Sequence, residues 1–241
     1  MTPTHAVSGF PTSVVSGFSR TVAMLLLLVC APGVAAQSAN VNLSGVFADS
    51  LKLLVVEHGV RLAQHKTRRE LDGPFWSDYR RSVRVPGSWE DGDPWYINYL
   101  GHPIHGAAAA FVWAEHDPVM KTASFGLNSH YWATRWRPLV SSAIYSVQFE
   151  VGPLSEASIG NVGILPNTIG WVDYVVTPVG GMGIGVAEDA LDRFFIEWFE
   201  RHVRNRTARA VMRMLFNPSR TFANLATNHL PWYRANRPIG R

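Results

Sequence analysis

The chain has 241 residues, a formal net charge of +4 and a charged fraction of only 17%, against 47% hydrophobic residues. That length holds one sizeable domain or two small ones. A single cysteine, Cys30, excludes a disulfide framework, a thiolate-based zinc site and, once the leader described next is removed, catalytic thiol chemistry. The nine Trp and twelve Phe fit a membrane-associated protein better than a cytosolic enzyme, because aromatic rings with a polar tip favour surfaces that are apolar on one side and wet on the other.

The amino terminus reads as a secretory signal peptide. Arg20 precedes the apolar run "VAMLLLLVC" (Val22 to Cys30), and "APGVAA" supplies small residues at Val34 and Ala36. The run is too short for a permanent span, and Val29 before Cys30 argues against a lipoprotein. Cleavage after Ala36 removes the only cysteine, which suits a bacterial envelope. Residues 37–200 then hold twelve Lys or Arg against eighteen Asp or Glu, whereas residues 201–241 hold nine arginines and no acid. Such a basic segment can face the phosphates of membrane lipid or lipopolysaccharide, or form a solvated helix. Export makes nucleic acid a poor partner.

Four segments follow: a signal peptide (1–36), an amphipathic helix with an irregular aromatic and charged stretch (37–92), a helical core (93–230) and a basic aromatic tail (231–241). Val46 to Gln64 is predicted as a helix with Val46, Leu51, Leu54, Val55, His58 and Leu62 near one face, and Lys52 and Glu57 off it. Residues 65–95 read as loop. A helix from about Pro94 to Glu115 is expected, capped by Asp93, with Pro103 kinking it or freeing a carbonyl, and ended by Asp117-Pro118. Pro138 onward reads as helix to Val151, although "YSVQFEV" (Tyr145 to Val151) alternates as a strand does. A loop is expected from Gly152 to Gly170. Gly170 to Glu200 reads as one long helix or two, and Thr207 to Leu215 as a short one. The class is therefore mostly α, a compact bundle of about five helices; a small β-barrel is the alternative.

Two helix faces carry the chemistry. Asn98, His102 and His105 are spaced four and three residues apart, and Gly106 lies beside them. Asp173, Thr177, Gly180, Gly181, Gly185 and Glu188 share a second face. Glycines there allow close backbone approach, so Asn98, Gly106, Thr177, Gly180, Gly181 and Gly185 are expected at a helix crossing. His102, His105, Glu150, Asp173 and Glu188 would then converge as a buried polar cluster. Such a cluster serves as a hydrogen-bonded lock, an acid–base centre, or a metal site held by His102, His105, Glu150 and Asp173. No established metal spacing is present, no nucleophile elbow or phosphate loop occurs, and no cofactor is required by the sequence.

"NYLGHPIHGA" (Asn98 to Ala107), the acid Glu150, "DYVVTPVGGMGIGVAED" (Asp173 to Asp189) and "FNPSRTFANL" (Phe216 to Leu225) together resemble domain of unknown function family 3943, a group of exported bacterial proteins. The resemblance implies export, envelope association and a helical core, and no particular activity. A looser similarity links the His, Glu and Asp-x-x-x-Thr elements to VanZ-like envelope proteins, with Thr177 where those carry Asn and without their Asp-Lys before the His. The functional expectation is an envelope protein that binds lipid or a membrane partner; the alternative is an enzyme acting on an envelope lipid or glycan. Intact mass spectrometry of exported protein should find a chain starting at Gln37; retention of residues 1–36 would contradict the cleavage.

Overall fold

The computed structural model describes residues 41–63, 68, 74–83, 86–152, 154–159 and 169–239. The signal segment lies outside them, as do residues 160–168 of the expected Gly152–Gly170 loop. Helices run in the order α1 (Leu43–Leu62), α2 (Phe75–Ser82), a π turn (Ile97–Gly101), α3 (His102–His116), α4 (Pro118–Thr122), α5 (Ser129–Val151), α6 (Glu156–Ile159), α7 (Trp171–Leu191), a second π turn (Asp192–Ile196), α8 (Glu197–His202), α9 (Arg206–Phe216) and α10 (Pro218–Ala226). No strand occurs among the described residues, so the mostly α bundle holds and the β-barrel does not.

The centre of the bundle is α3, which packs on α1, α5, α7 and α10. Its alanines explain this. Ala107, Ala108 and Ala109 are completely buried on successive sides of the helix, together with Gly106 and Val112. A helix this narrow can be surrounded. The expected segment 37–92 is not separate from it, because α1 belongs to the same core: Leu53 and Leu54 join Ala108, Val112, Tyr145 and Phe149.

The tightest crossing joins α3 to α7. A Cβ built on Gly106 would lie 1.9 Å from the Thr177 carbonyl oxygen, and one on Gly181 would lie 2.7 Å from the Gly106 carbonyl carbon. The two backbones touch with no side chain between them. A Cβ on Gly180 would press on the Pro103 ring at 2.8 Å. Gly185 departs from expectation: its Cβ would meet only Phe111, at 4.0 Å.

Other expectations are corrected. Pro103 cannot donate the amide hydrogen an α-turn requires, and the chain answers with the π turn before it, in which the His102 N–H reaches the Ile97 carbonyl. Helical turns begin at Trp95, where expected, and the Pro94 carbonyl accepts from the Ile97 N–H at 2.8 Å; Asp91 lies buried just ahead of them. Helix α5 begins nine residues before Pro138, capped by Asn128 on the Tyr131 N–H, and continues through the alternating "YSVQFEV". Part of the expected 65–95 loop is α2, and Glu156–Ile159 is a short helix.

The arginine-rich end is stitched to the preceding acids. Arg213, 1% exposed, donates through Nε to Glu200 (2.5 Å) and through its two Nη groups to the Trp232 and Arg237 carbonyls. Arg220 pairs with Asp189, Arg234 with Asp192, and Arg237 with Asp192 and Glu200.

Gly106→Ala should lower unfolding free energy by roughly 3 kcal/mol or more, because the methyl group has no space. Gly183→Ala, where a Cβ meets nothing within 4 Å, should instead add up to about 1 kcal/mol of helix propensity. Denaturant unfolding of both variants measures the contrast.

Candidate functional site

The α3–α7 crossing sets the first turn of α3 beside the first two turns of α7. His102 projects toward α7: its Nδ1 is 3.2 Å from Thr177 Oγ1 and its Nε2 is 3.2 Å from Asp173 Oδ1. Glu150, at the end of α5, joins them, with one donor atom from each of His102, Glu150 and Asp173 lying within 4.8 Å of the other two. All three are largely buried. The α5–α7 contact is held by Ser146 Oγ, which donates to the Asp173 carbonyl at 3.0 Å.

The start of α7 is clamped by a chain segment ahead of α3. The Trp171 and Val172 amides donate to the Ser88 and Trp89 carbonyls at 3.1 and 2.9 Å. Gly170 is needed there, since a Cβ would fall 2.5 Å from the Trp89 carbonyl oxygen. This brings buried Asp91 close, where Asn98 Nδ2 donates to it at 2.7 Å. Asn98 therefore serves Asp91 and does not continue the His102 face; the five-residue turn between them breaks the α-helical register.

Two of the expected five residues lie elsewhere. His105 turns toward α1 and α5, packing its ring edge-on against Phe149 (4.5 Å) and Tyr145 (5.0 Å). Its Nε2 is 3.4 Å from Glu57 Oε2, which accepts from the Tyr145 hydroxyl at 2.7 Å. Glu57, expected off the packed face, thus points inward. Glu188 is the other correction. It binds the backbone at the start of α10, accepting from the Ser219 and Arg220 amides at 2.9 and 3.2 Å. Exposed donors at a helix amino terminus favour a carboxylate, and that is its role here.

The electrostatics follow from crowding acids in a dry interior. Burial pushes the Asp173 carboxyl up to about 8, reinforced by Asp91, Glu156 and Asp93 and opposed by Arg61. Glu150 is pushed well above its usual range by burial, then by Asp173 and Glu156. Burial also holds His102 below its ordinary value, against the raising effect of Asp91 and Asp93. In the neighbouring pair, burial raises Glu57 to about 8 and lowers His105 well below its ordinary value. Both shifts favour the uncharged forms of His105 and Glu57 over a salt bridge. Arg61, on α1, meets Glu156 at 2.5 Å, and its positive charge opposes the rise at Asp173 and Glu150.

Arg61, Asp91 and Glu156 were not legible as site residues. Their only sequence signal is position: each charge borders a segment that ends up buried. A groove of about 600 Å³ lies elsewhere, lined in part by Arg135, Asp189, Asp192, Arg220 and Arg234. Its charges are matched, Arg135 and Arg220 with Asp189 and Arg234 with Asp192. At the His102–Glu150–Asp173 cluster, by contrast, nearby acids raise one another and Arg61 is the opposing charge. Comparison with protein-family models, with curated proteins and with solved structures finds no match for this chain.

The arrangement can hold protons between acids, or a cation. Its pH dependence is specific. Asp173 rises from 3.8 to about 8 on folding, so its contribution favours the folded state below about 4 and is withdrawn as pH climbs to 8. His102 and His105 have the opposite sign: lowered on folding, they oppose it below their ordinary value of 6.5. The window from 6.5 to 8 isolates the acids. In chelator-treated buffer the melting temperature should fall across it, and Asp173→Asn should flatten the fall; an equal slope in both proteins would contradict this assignment.

Proposed function

We propose that this protein is an exported bacterial envelope protein that binds a membrane surface, with α1 as the contacting element. The observation that supports this reading is the outward side of α1. Leu43, Phe47 and Val55 are 62%, 73% and 61% exposed, and Leu51, Val56, Val60 and Leu62 are exposed with them. The only exposed charge on that side is Lys52, which pairs with Asp49 at 2.7 Å. Meanwhile Val46, Asp49, Leu53, Leu54 and His58 face the core. A 20-residue helix spans about 30 Å, and an apolar side of that length is uncommon on a protein that meets only water. It suits a helix lying in the interfacial plane.

Exposed Trp76, Trp95 and Trp136 are of the type that anchors at lipid headgroups. No helix among the described residues is long and apolar enough to cross a membrane, which fits attachment through a surface. The segment 201–241 offers less positive charge to lipid or lipopolysaccharide than its composition suggests, because Arg213, Arg220, Arg234 and Arg237 are paired with acids.

A second reading, an enzyme acting on an envelope lipid or glycan, is favoured by one observation: His102 lies beside two buried acids of raised pKa. His102 would then act as base, with Glu150 and Asp173 as acids.

Flotation of chain 37–241 with phosphatidylethanolamine–phosphatidylglycerol vesicles tests the first reading. Wild type should float. Phe47→Ser combined with Val55→Ser should bind at least about tenfold more weakly, since each lost apolar contact is worth ~1.5 kcal/mol or more. Unchanged flotation of a folded double variant would remove α1 from the contact.

A further inference from the structure

We propose that His102, Glu150 and Asp173 bind a divalent transition-metal ion, for which zinc is the natural probe. This goes beyond membrane attachment and stands independently of it. Three observations carry it.

The first is separation. His102 Nε2 and Asp173 Oδ1 are 3.2 Å apart. Two ligands on one zinc ion at about 2.0–2.1 Å sit roughly 3.0–3.4 Å from each other. The Glu150 oxygen lies within 4.8 Å of both partners' donor atoms, so a modest swing of that side chain completes the set.

The second is an unanswered buried atom. Asp173 Oδ1 accepts no hydrogen bond, although its side chain is only 3% exposed. The His102 ring is close to it but not aligned to donate. An orphaned carboxylate oxygen in a dry interior is costly, and a cation removes the cost.

The third is the outer side of the imidazole. Thr177 Oγ1 stands 3.2 Å from Nδ1. When the hydroxyl accepts the Nδ1–H, the Nε2 lone pair is left facing Asp173. A metal-bound histidine is commonly held this way, with its second nitrogen fixed by a hydrogen-bond acceptor. Thr177 is fully buried at the glycine crossing, so the ring has little freedom to turn.

The donor chemistry narrows the ion. One imidazole and two carboxylates, with no thiolate, suit zinc, manganese or ferrous iron better than copper(I) or calcium. Surrounding charge favours a cation, because Asp91, Asp93 and Glu156 all act on the cluster and Arg61 is the opposing charge. His105 is excluded from the set: its Nε2 faces Glu57, and its ring is wedged against Phe149 and Tyr145.

Chelator-treated chain 37–241 should be titrated with Zn²⁺ by calorimetry, with metal content and melting temperature measured on the same samples. Wild type should take up one equivalent and melt higher with metal bound. Asp173→Asn, Glu150→Gln and His102→Gln should each weaken binding by roughly tenfold or more and lose the metal-dependent rise in melting temperature. Glu57→Gln, beside the cluster but outside it, should bind as wild type does. Co²⁺ should give a visible ligand-field spectrum in wild type that Asp173→Asn lacks. Folded wild type that takes up less than one equivalent, or binds equally when Asp173 is replaced, overturns the site. Vesicle flotation is read separately, so failure here leaves the membrane reading standing.

Discussion

Gly106 and Gly181 meet backbone to backbone, and most of the molecule is arranged around that contact. It draws α7 onto α3 so closely that Thr177 can reach the His102 ring and Asp173 can stand beside it. It also leaves α3 narrow enough for α1, α5 and α10 to cover its other sides. The glycines weaken α7 as an isolated helix. Packing against α3 offsets that weakness, since helices in folded proteins draw most of their stability from tertiary contact.

Charge is divided in two within this frame. The carboxy-terminal part holds a lattice of arginines matched to the acids of α7, its π turn and α8, centred on buried Arg213 and Glu200. The α3–α5–α7 junction holds acids with little to balance them. Buried ion pairs are close to neutral in net stability, whereas buried unpaired charge is expensive. A folded chain keeps such an imbalance where a proton or a bound cation relieves it. The matched lattice fixes structure, and the unmatched cluster is the place where chemistry is to be sought.

Much of this architecture was legible in the sequence, and the failures have identifiable causes. The α7–α9 region followed from apolar spacing. The alternation over Tyr145 to Val151 misled because Ser146 and Glu150 are polar yet buried: inward positions run Tyr145, Ser146, Phe149, Glu150, a helical interval hidden by residue type. On α1 both sides are apolar, and the expected face mixes buried Val46, Leu54 and His58 with exposed Leu51, Val55 and Leu62, while Glu57, expected off it, points inward. His105 shares a helix side with His102, but the three-residue step turns it far enough to meet α1. Glu188 was placed by helical spacing alone; the amide donors of α10 that claim it come from a segment some thirty residues later. Burial depends on partners remote in sequence, which spacing along one helix does not carry.

The close crossing of α3 and α7 is the claim on which the cluster rests. Oxidative cross-linking tests it directly, because residues 37–241 contain no cysteine. A Cβ on Gly180 would lie 3.2 Å from the Pro103 Cβ, near the separation a disulfide spans. Pro103→Cys with Gly180→Cys should therefore cross-link on mild oxidation, while Pro103→Cys with Gly183→Cys, whose second position faces open space, should not. Cross-linking of the control pair alone, or of neither pair in folded protein, would contradict the crossing and with it the convergence of His102, Glu150 and Asp173.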